Sequence, residues 1–189
     1  EDRIHQLQAY TQPGAGAAPL LGQSKAARKL AQQIEAAAAD LHPVLLQAEP
    51  GTGKTFLAGY LHEQSGLQAH PWAEIDCAQL PKDDQGLVIA DALFGREGGP
   101  LGVIELLERG TLLIDNAYCL SGRDRERLLT YLATGQVTRN PQRAAAGAAS
   151  TAPVTPFTAW VRLILASPQR QWLTVPNAHV IKVFTLAQR

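Results

Sequence analysis

Residues 48–55 read Ala-Glu-Pro-Gly-Thr-Gly-Lys-Thr, and no other stretch restricts the fold of this chain so strongly. The apolar run PVLLQA, of strand length, leads into it, and the helical pattern FLAGYLHEQSG leaves it. Strand, glycine-rich turn and helix in that order make a βα unit. The turn fits the phosphate-binding pattern G-x-x-x-x-G-K-[ST], with Ala48 in the first position. Gly51 and Gly53 let the backbone wrap a phosphate with its N–H groups pointing inward. The helix that follows adds partial positive charge at its N-terminus. Lys54 then reaches the β and γ phosphates, and the Thr55 hydroxyl can ligate Mg²⁺. ATP and Mg²⁺ are therefore the expected ligands. A GxGKT that arose by chance in a turn would lack the flanking strand and helix.

The rest of the chain continues the alternation. Ser24 is a good N-cap for KAARKLAQQIEAAAAD, whose Ala27, Leu30, Ala31 and Ile34 form an apolar stripe. WAEID (72–76), TLLID (111–115), WVRLILAS (160–167) and HVIKVF (179–184) have strand character. GLVIADALF (86–94) is expected to be helical, as is IELLERG (104–110), ended by Gly110. SGRDRERLLTYLATGQ (121–136) predicts a charged helix capped by Ser121. Such a pattern implies an α/β fold with a parallel sheet covered on both faces. Asp115, at the end of a buried strand, is placed to hold the water shell of the magnesium ion. Residues 1–20 are expected to be a linker, because QPGAGAAP breaks any helix. Residues 139–158, rich in Ala, Gly, Ser, Thr and Pro, are expected to be a flexible low-complexity loop.

Charge and composition exclude several functions. Lys+Arg is 17 and Asp+Glu is 17, so the formal net charge is +0. A free-standing nucleic-acid binder uses a basic surplus that this chain lacks. The 189 residues suit one domain, and 46% hydrophobic residues suffice for a core. No run of about 18 apolar residues offers a membrane span. EDRIHQLQAY is not a signal peptide, and with no Met the chain is expected to begin inside a longer reading frame. Cys77 and Cys119 form no CxxC, which suits a reducing cytoplasm and two small core residues. His5, His42, His70 and His179 share no metal-like spacing. His62 is expected to make a structural hydrogen bond, Trp72 and Trp160 to pack, and RDRER (123–127) to face solvent, a subunit contact being the alternative.

In ordered segments the chain resembles the AAA+ domain of sigma-54-dependent transcriptional activators, the NtrC-like proteins of bacteria. LGQS (21–24) resembles "iGxS", EPGTGKT resembles "GExGTGKE", and LHEQSG (61–66) resembles "iHxxS". PWAEIDCAQL (71–80) resembles "pFvxvNCaal", ALFG (92–95) "eLFG", and ERGTLLIDNA (108–117) "aGGTLfLDEi". RERLLTYLATGQVTR (125–139), VRLILAS (161–167) and FTLAQR (184–189) resemble "QxkLLrvLqexxxxR", "vRiiaaT" and "PPLReR". The resemblance, from 21 to 189, implies a P-loop NTPase three-layer sandwich with a five-stranded parallel sheet. That is the AAA+ large subdomain, without the helical lid. It further implies a cytoplasmic homo-oligomeric ring that binds ATP through Glu49, Pro50, Gly51, Thr52, Gly53, Lys54, Thr55 and Asp115, with Mg²⁺ on Thr55 and Asp115. No DNA contact and no membrane contact are expected of this segment.

Departures from the family pattern bear on activity. The family's Glu after the Walker B Asp activates the attacking water, and here Asn116 stands in its place. An amide cannot take a proton, and a positioned general base is worth about 10²–10⁴-fold. The Asn that partners that Glu is replaced by Asp76. The GAFTGA loop that contacts sigma-54 should follow ALFGREGG, but the chain runs through GGPLG into VIELLERG, so no contact with RNA polymerase sigma-54 is expected. Sensor 1 has Ser167 and Pro168 for Thr and Asn. Gln169 and Val175 align near the arginine-finger positions, with Arg170 one residue away and able to serve. The expected function is an ATP-binding regulatory domain with weak or no hydrolysis. Two alternatives stay open: an active AAA+ ATPase motor driving sigma-54 promoter opening, in which Asp76 or Glu49 replaces the missing acid, and an interaction module without nucleotide.

Overall fold

The computed structural model describes residues 10, 24–80, 87–142, 155–168 and 174–183. Arg170, Gln169, residues 184–189, and all of the expected 1–20 linker except Tyr10 lie outside that set, as do residues 143–154 of the expected loop.

Helix α1 (Lys25–Ala38) begins where the Ser24 hydroxyl accepts the Ala27 N–H. Strand β1 (Val44–Ala48) feeds the glycine-rich turn, and α2 (Lys54–Glu63) leaves it. Then follow β2 (Trp72–Asp76), α3 (Leu87–Phe94), α4 (Val103–Leu107), β3 (Arg109–Asp115) and α5 (Gly122–Thr134), capped by Ser121. A short antiparallel pair, β4 (Gln136–Val137) with β5 (Phe157–Thr158), precedes β6 (Trp160–Ser167) and β7 (His179–Val183). The main sheet is parallel throughout, in the order β2-β3-β6-β1-β7. This is the expected five-stranded sheet.

The central strands are mostly apolar because both their faces are covered. Leu112, Ile114, Leu163 and Leu165 pack with Phe94, Leu107 and Leu128 from α3, α4 and α5. The intervening Leu113, Ile164 and Ala166 face the other way, onto Ile34 of α1 and Leu57 and Leu61 of α2. Alternate residues of one strand thus belong to two separate cores, and three layers result.

Three sequence expectations are corrected, the last in part. Gly110 does not end a helix. Helix α4 stops at Leu107, Glu108 turns the chain with φ 50°, and Gly110 is already in β3. Its glycine is needed because the Pro71 carbonyl presses on it, and a Cβ there would lie 2.2 Å from that oxygen. Trp160 does not pack inside. It begins β6 and is 71% exposed. Trp72 is buried as expected. Within RDRER, Asp124 is buried, bonded to Ser121, and Arg127 stacks 3.8 Å over the Phe94 ring, so that run is only in part a solvent face.

His62 makes the expected structural bond, Nδ1 to Thr111 Oγ1 at 2.8 Å, with its ring against Trp72. Burial depresses its pKa below the ordinary 6.5. The unfolded chain therefore takes up a proton that the folded chain resists, and stability falls as pH drops below about 6.5. Urea midpoints measured from pH 7.5 to 5 should show this fall, and His62→Gln should flatten it.

Candidate nucleotide site

The P-loop is shaped by two left-handed residues, Gly51 at φ 77° and Gly53 at φ 80°. No atom crowds either position, so backbone conformation rather than space calls for glycine there. The Thr52 hydroxyl donates to the Glu49 carbonyl at 2.7 Å and tightens the turn. Gly53 caps α2, whose first-turn N–H groups have no partners within the helix. Lys54 is 7% exposed, and its Nζ lies 3.3 Å from the Glu49 carbonyl and 3.8 Å from Asp115 Oδ1. Glu49, Pro50, Gly51, Gly53 and Thr55 are exposed, while Thr52 is half-buried. The loop thus opens to solvent around a buried ammonium group.

Sheet register delivers the acids. β2 lies beside β3 with Asp76 opposite Asp115. Alternation along β2 puts Glu74 on the face of α2, where its Oε1 accepts the Thr55 hydroxyl at 3.0 Å. The sequence reading missed Glu74, although its two-residue spacing from Asp76 in WAEID was a usable signal. Burial raises the Glu74 and Asp115 carboxyls above their ordinary values. The Asp115 and Asp76 charges push Glu74 up further, while the Lys54 charge and the Asn116 N–H draw Asp115 back.

Asn116 has φ 50°, a conformation Asn tolerates better than most residues. It swings its side chain back across the strands, so that Nδ2 donates to Asp76 Oδ1 at 2.8 Å. Asp76 also accepts the Ala78 N–H at 2.9 Å and the Gln79 amide at 2.7 Å. Burial opposes its ionised form, but these bonds outweigh burial and hold the carboxyl below its ordinary value. A carboxylate so held is a poor proton acceptor. Ser167 is buried at the end of β6, opposite Gln47 of β1, and Pro168 follows it.

A family model described as the sigma-54 interaction domain matches residues 20–148. The chain belongs to the sigma-54 interaction domain family. The Nif-specific regulatory protein of Rhizobium etli is 32% identical over 84% of this chain and 26% of its own length. The phenol regulator MopR of Acinetobacter guillouiae is 35% identical over 63% of this chain and 22% of its own. The chain thus spans about a quarter of such curated relatives. Among solved structures, NtrX from Brucella abortus in complex with ATP has a TM-score of 0.71 at 22% identity, covering 90% of this chain and 38% of that one. A RuvB mutant from Thermotoga maritima has a TM-score of 0.52 at 20% identity, covering 88% and 48%. The fold is that of an AAA+ P-loop NTPase.

In this sigma-54 interaction domain a turn over residues 95–102 links α3 to α4. The Arg96 N–H donates to the Pro100 carbonyl at 3.1 Å, and the Asn140 N–H to the Gly95 carbonyl at 2.8 Å. Arg139 grips Glu105 through two nitrogens, and Arg127 and Asp91 bond the two ends of the Asn140 amide. Residues 139 and 140, from the stretch expected to be a loop, thereby tie this turn down.

Proposed function

We propose that this sigma-54 interaction domain binds Mg-ATP, hydrolyses it weakly or not at all, and serves as the nucleotide-responsive segment of a bacterial transcriptional regulator. The observation that carries the reading is the pairing of the GTGKT turn, with its buried Lys54, with an amide at position 116, where the family pattern has Glu. Lys54 is aimed across the loop at Asp115, ready to exchange protein oxygens for phosphate oxygens. Asn116 meanwhile spends its donor on Asp76.

A magnesium ion fits these residues. The Thr55 hydroxyl and Asp115 are hard oxygen donors of the kind Mg²⁺ takes. Burial raises the Glu74 and Asp115 carboxyls, with neighbouring carboxylate charges adding to it, and a divalent cation would favour their ionised forms. Thr55 and Asp115 would hold the ion, which would supply charge neutralisation on the phosphates. The chain's own groups do the rest: the loop amides and Lys54 orient the phosphates, and Asn116 can position a water without deprotonating it. Because ATP can favour one assembly state over another, binding without turnover can still regulate. Homo-oligomerisation in the parent protein belongs to this reading, and remodelling of sigma-54 does not.

Calorimetric titration with Mg-ATP tests it. Binding should appear in the parent chain and weaken about 10–100-fold in Lys54→Ala, from the loss of about 1.5–3 kcal/mol of charge-assisted bonding. No heat and no thermal shift at millimolar nucleotide would leave only an interaction module without nucleotide. The motor reading has one observation on its side: the Asp76 carboxylate lies within 2.8 Å of the Asn116 amide, so an acid remains beside the water-activating position.

A further inference from the structure

At the opposite end of the sheet from the P-loop, the fold gathers residues that sequence spacing kept apart. Asp40 and His42 lie in the connection between α1 and β1, and His179 is the first residue of β7. Parallel pairing of β1 with β7 sets Val44 opposite His179, and the His179 N–H donates to the Pro43 carbonyl at 2.9 Å. That pairing carries the imidazole to the turn, although 139 residues separate it from Asp40.

Asp40 Oδ2 lies 3.0 Å from His42 Nδ1 and 2.9 Å from His179 Nε2. One ligand atom from each of the three residues falls within 4.8 Å of the others. Around a tetrahedral ion with bonds of about 2.1 Å, donors stand about 3.4 Å apart, so small side-chain rotations suffice. The carboxylate is already oriented, because its Oδ1 accepts the His42 N–H at 2.9 Å. The backbone beneath is anchored too: Arg162, buried on β6, donates to the Ala37 and His42 carbonyls. The side chains are 38%, 53% and 29% exposed for Asp40, His42 and His179, so an ion can enter directly from solvent.

We infer that Asp40, His42 and His179 form a binding site for a divalent transition-metal ion of borderline softness, Zn²⁺ being the best match. Two imidazoles and one carboxylate are a recurrent set for such ions, with a fourth position left to water or to a group from another chain. The ion replaces the histidine–aspartate hydrogen bonds with coordination bonds and staples the α1–β1 connection to the edge strand β7. The site shares no residue with the P-loop.

The test is a competition titration of Zn²⁺ against a chromogenic chelator, on the nucleotide-free chain. One ion per chain with micromolar affinity is expected. His42→Ala and His179→Ala should each weaken binding about 100-fold, and Lys54→Ala should leave it unchanged. Saturating Zn²⁺ at about 100 times its Kd should raise the melting temperature of the parent chain by about 5–10 °C and that of His42→Ala hardly at all. His42 is largely exposed, so His42→Ala without metal should melt close to the parent, which separates ligand loss from misfolding. Affinity weaker than millimolar overturns the site. So does binding that survives the double His42→Ala, His179→Ala variant, since the ion then sits elsewhere.

Discussion

Asn116→Glu combined with Asp76→Asn is expected to speed ATP hydrolysis by about 10²-fold or more over the parent chain. Asn116 and Asp76 face each other at 2.8 Å across β3 and β2. The family pattern has the same two chemical groups in the opposite arrangement, with the carboxylate after the Walker B Asp and the amide on the neighbouring strand. The double variant exchanges them and keeps one hydrogen bond between them. The new carboxylate also escapes the Ala78 and Gln79 bonds that hold Asp76 ionised and weakly basic. Asn116→Glu alone should gain less, because it sets two carboxylates at hydrogen-bond distance and like charges there repel. Steady-state phosphate release at saturating Mg-ATP reads the series. If the parent chain turns over briskly and Asp76→Asn alone abolishes that, Asp76 is the working acid and the motor reading replaces ours.

Gly102→Ala is expected to cost about 3 kcal/mol or more, lowering the melting temperature by about 6–12 °C. A Cβ on Gly102 would lie 2.4 Å from the Leu93 carbonyl oxygen, the Phe94 carbonyl carbon and the Gly95 nitrogen. All three are backbone atoms, fixed where α3 ends, so none can rotate away. The same close approach brings the two ends of residues 95–102 together. Gly122→Ala is the matched control. Nothing lies within 4 Å of its would-be Cβ, and alanine favours the first turn of α5. Differential scanning calorimetry should show the first variant well below the parent and the second at or slightly above it. A Gly102→Ala melt within a degree of the parent would mean that the turn yields easily.

Much of this was legible in the chain because it is local. A strand that runs into EPGTGKT and out into a helix needs no distant partner to be recognised. Buried strands such as TLLID announce themselves by unbroken apolar runs. Ser24 and Ser121 cap within three residues of themselves. Local signals also misled. Gly110 looked like a helix stop, yet its reason is the Pro71 carbonyl from another segment. Trp160, at the start of a strand, was expected to pack and is exposed instead. His42 and His179 carried no metal-like spacing, because spacing cannot register a β1–β7 pairing.

The sequence by itself determined the glycine-rich turn, the alternation of strands and helices, and an Asn at position 116 where the family pattern has Glu. Each is written in a few consecutive residues whose backbone preference or chemistry is intrinsic. The tertiary structure alone decided strand order and register, and with them every contact between distant residues. It set Asp76 against Asn116, Glu74 against Thr55, and Asp40 and His42 against His179. Those pairings follow from burying two apolar faces of one sheet at once, a condition on the whole chain that no short segment states.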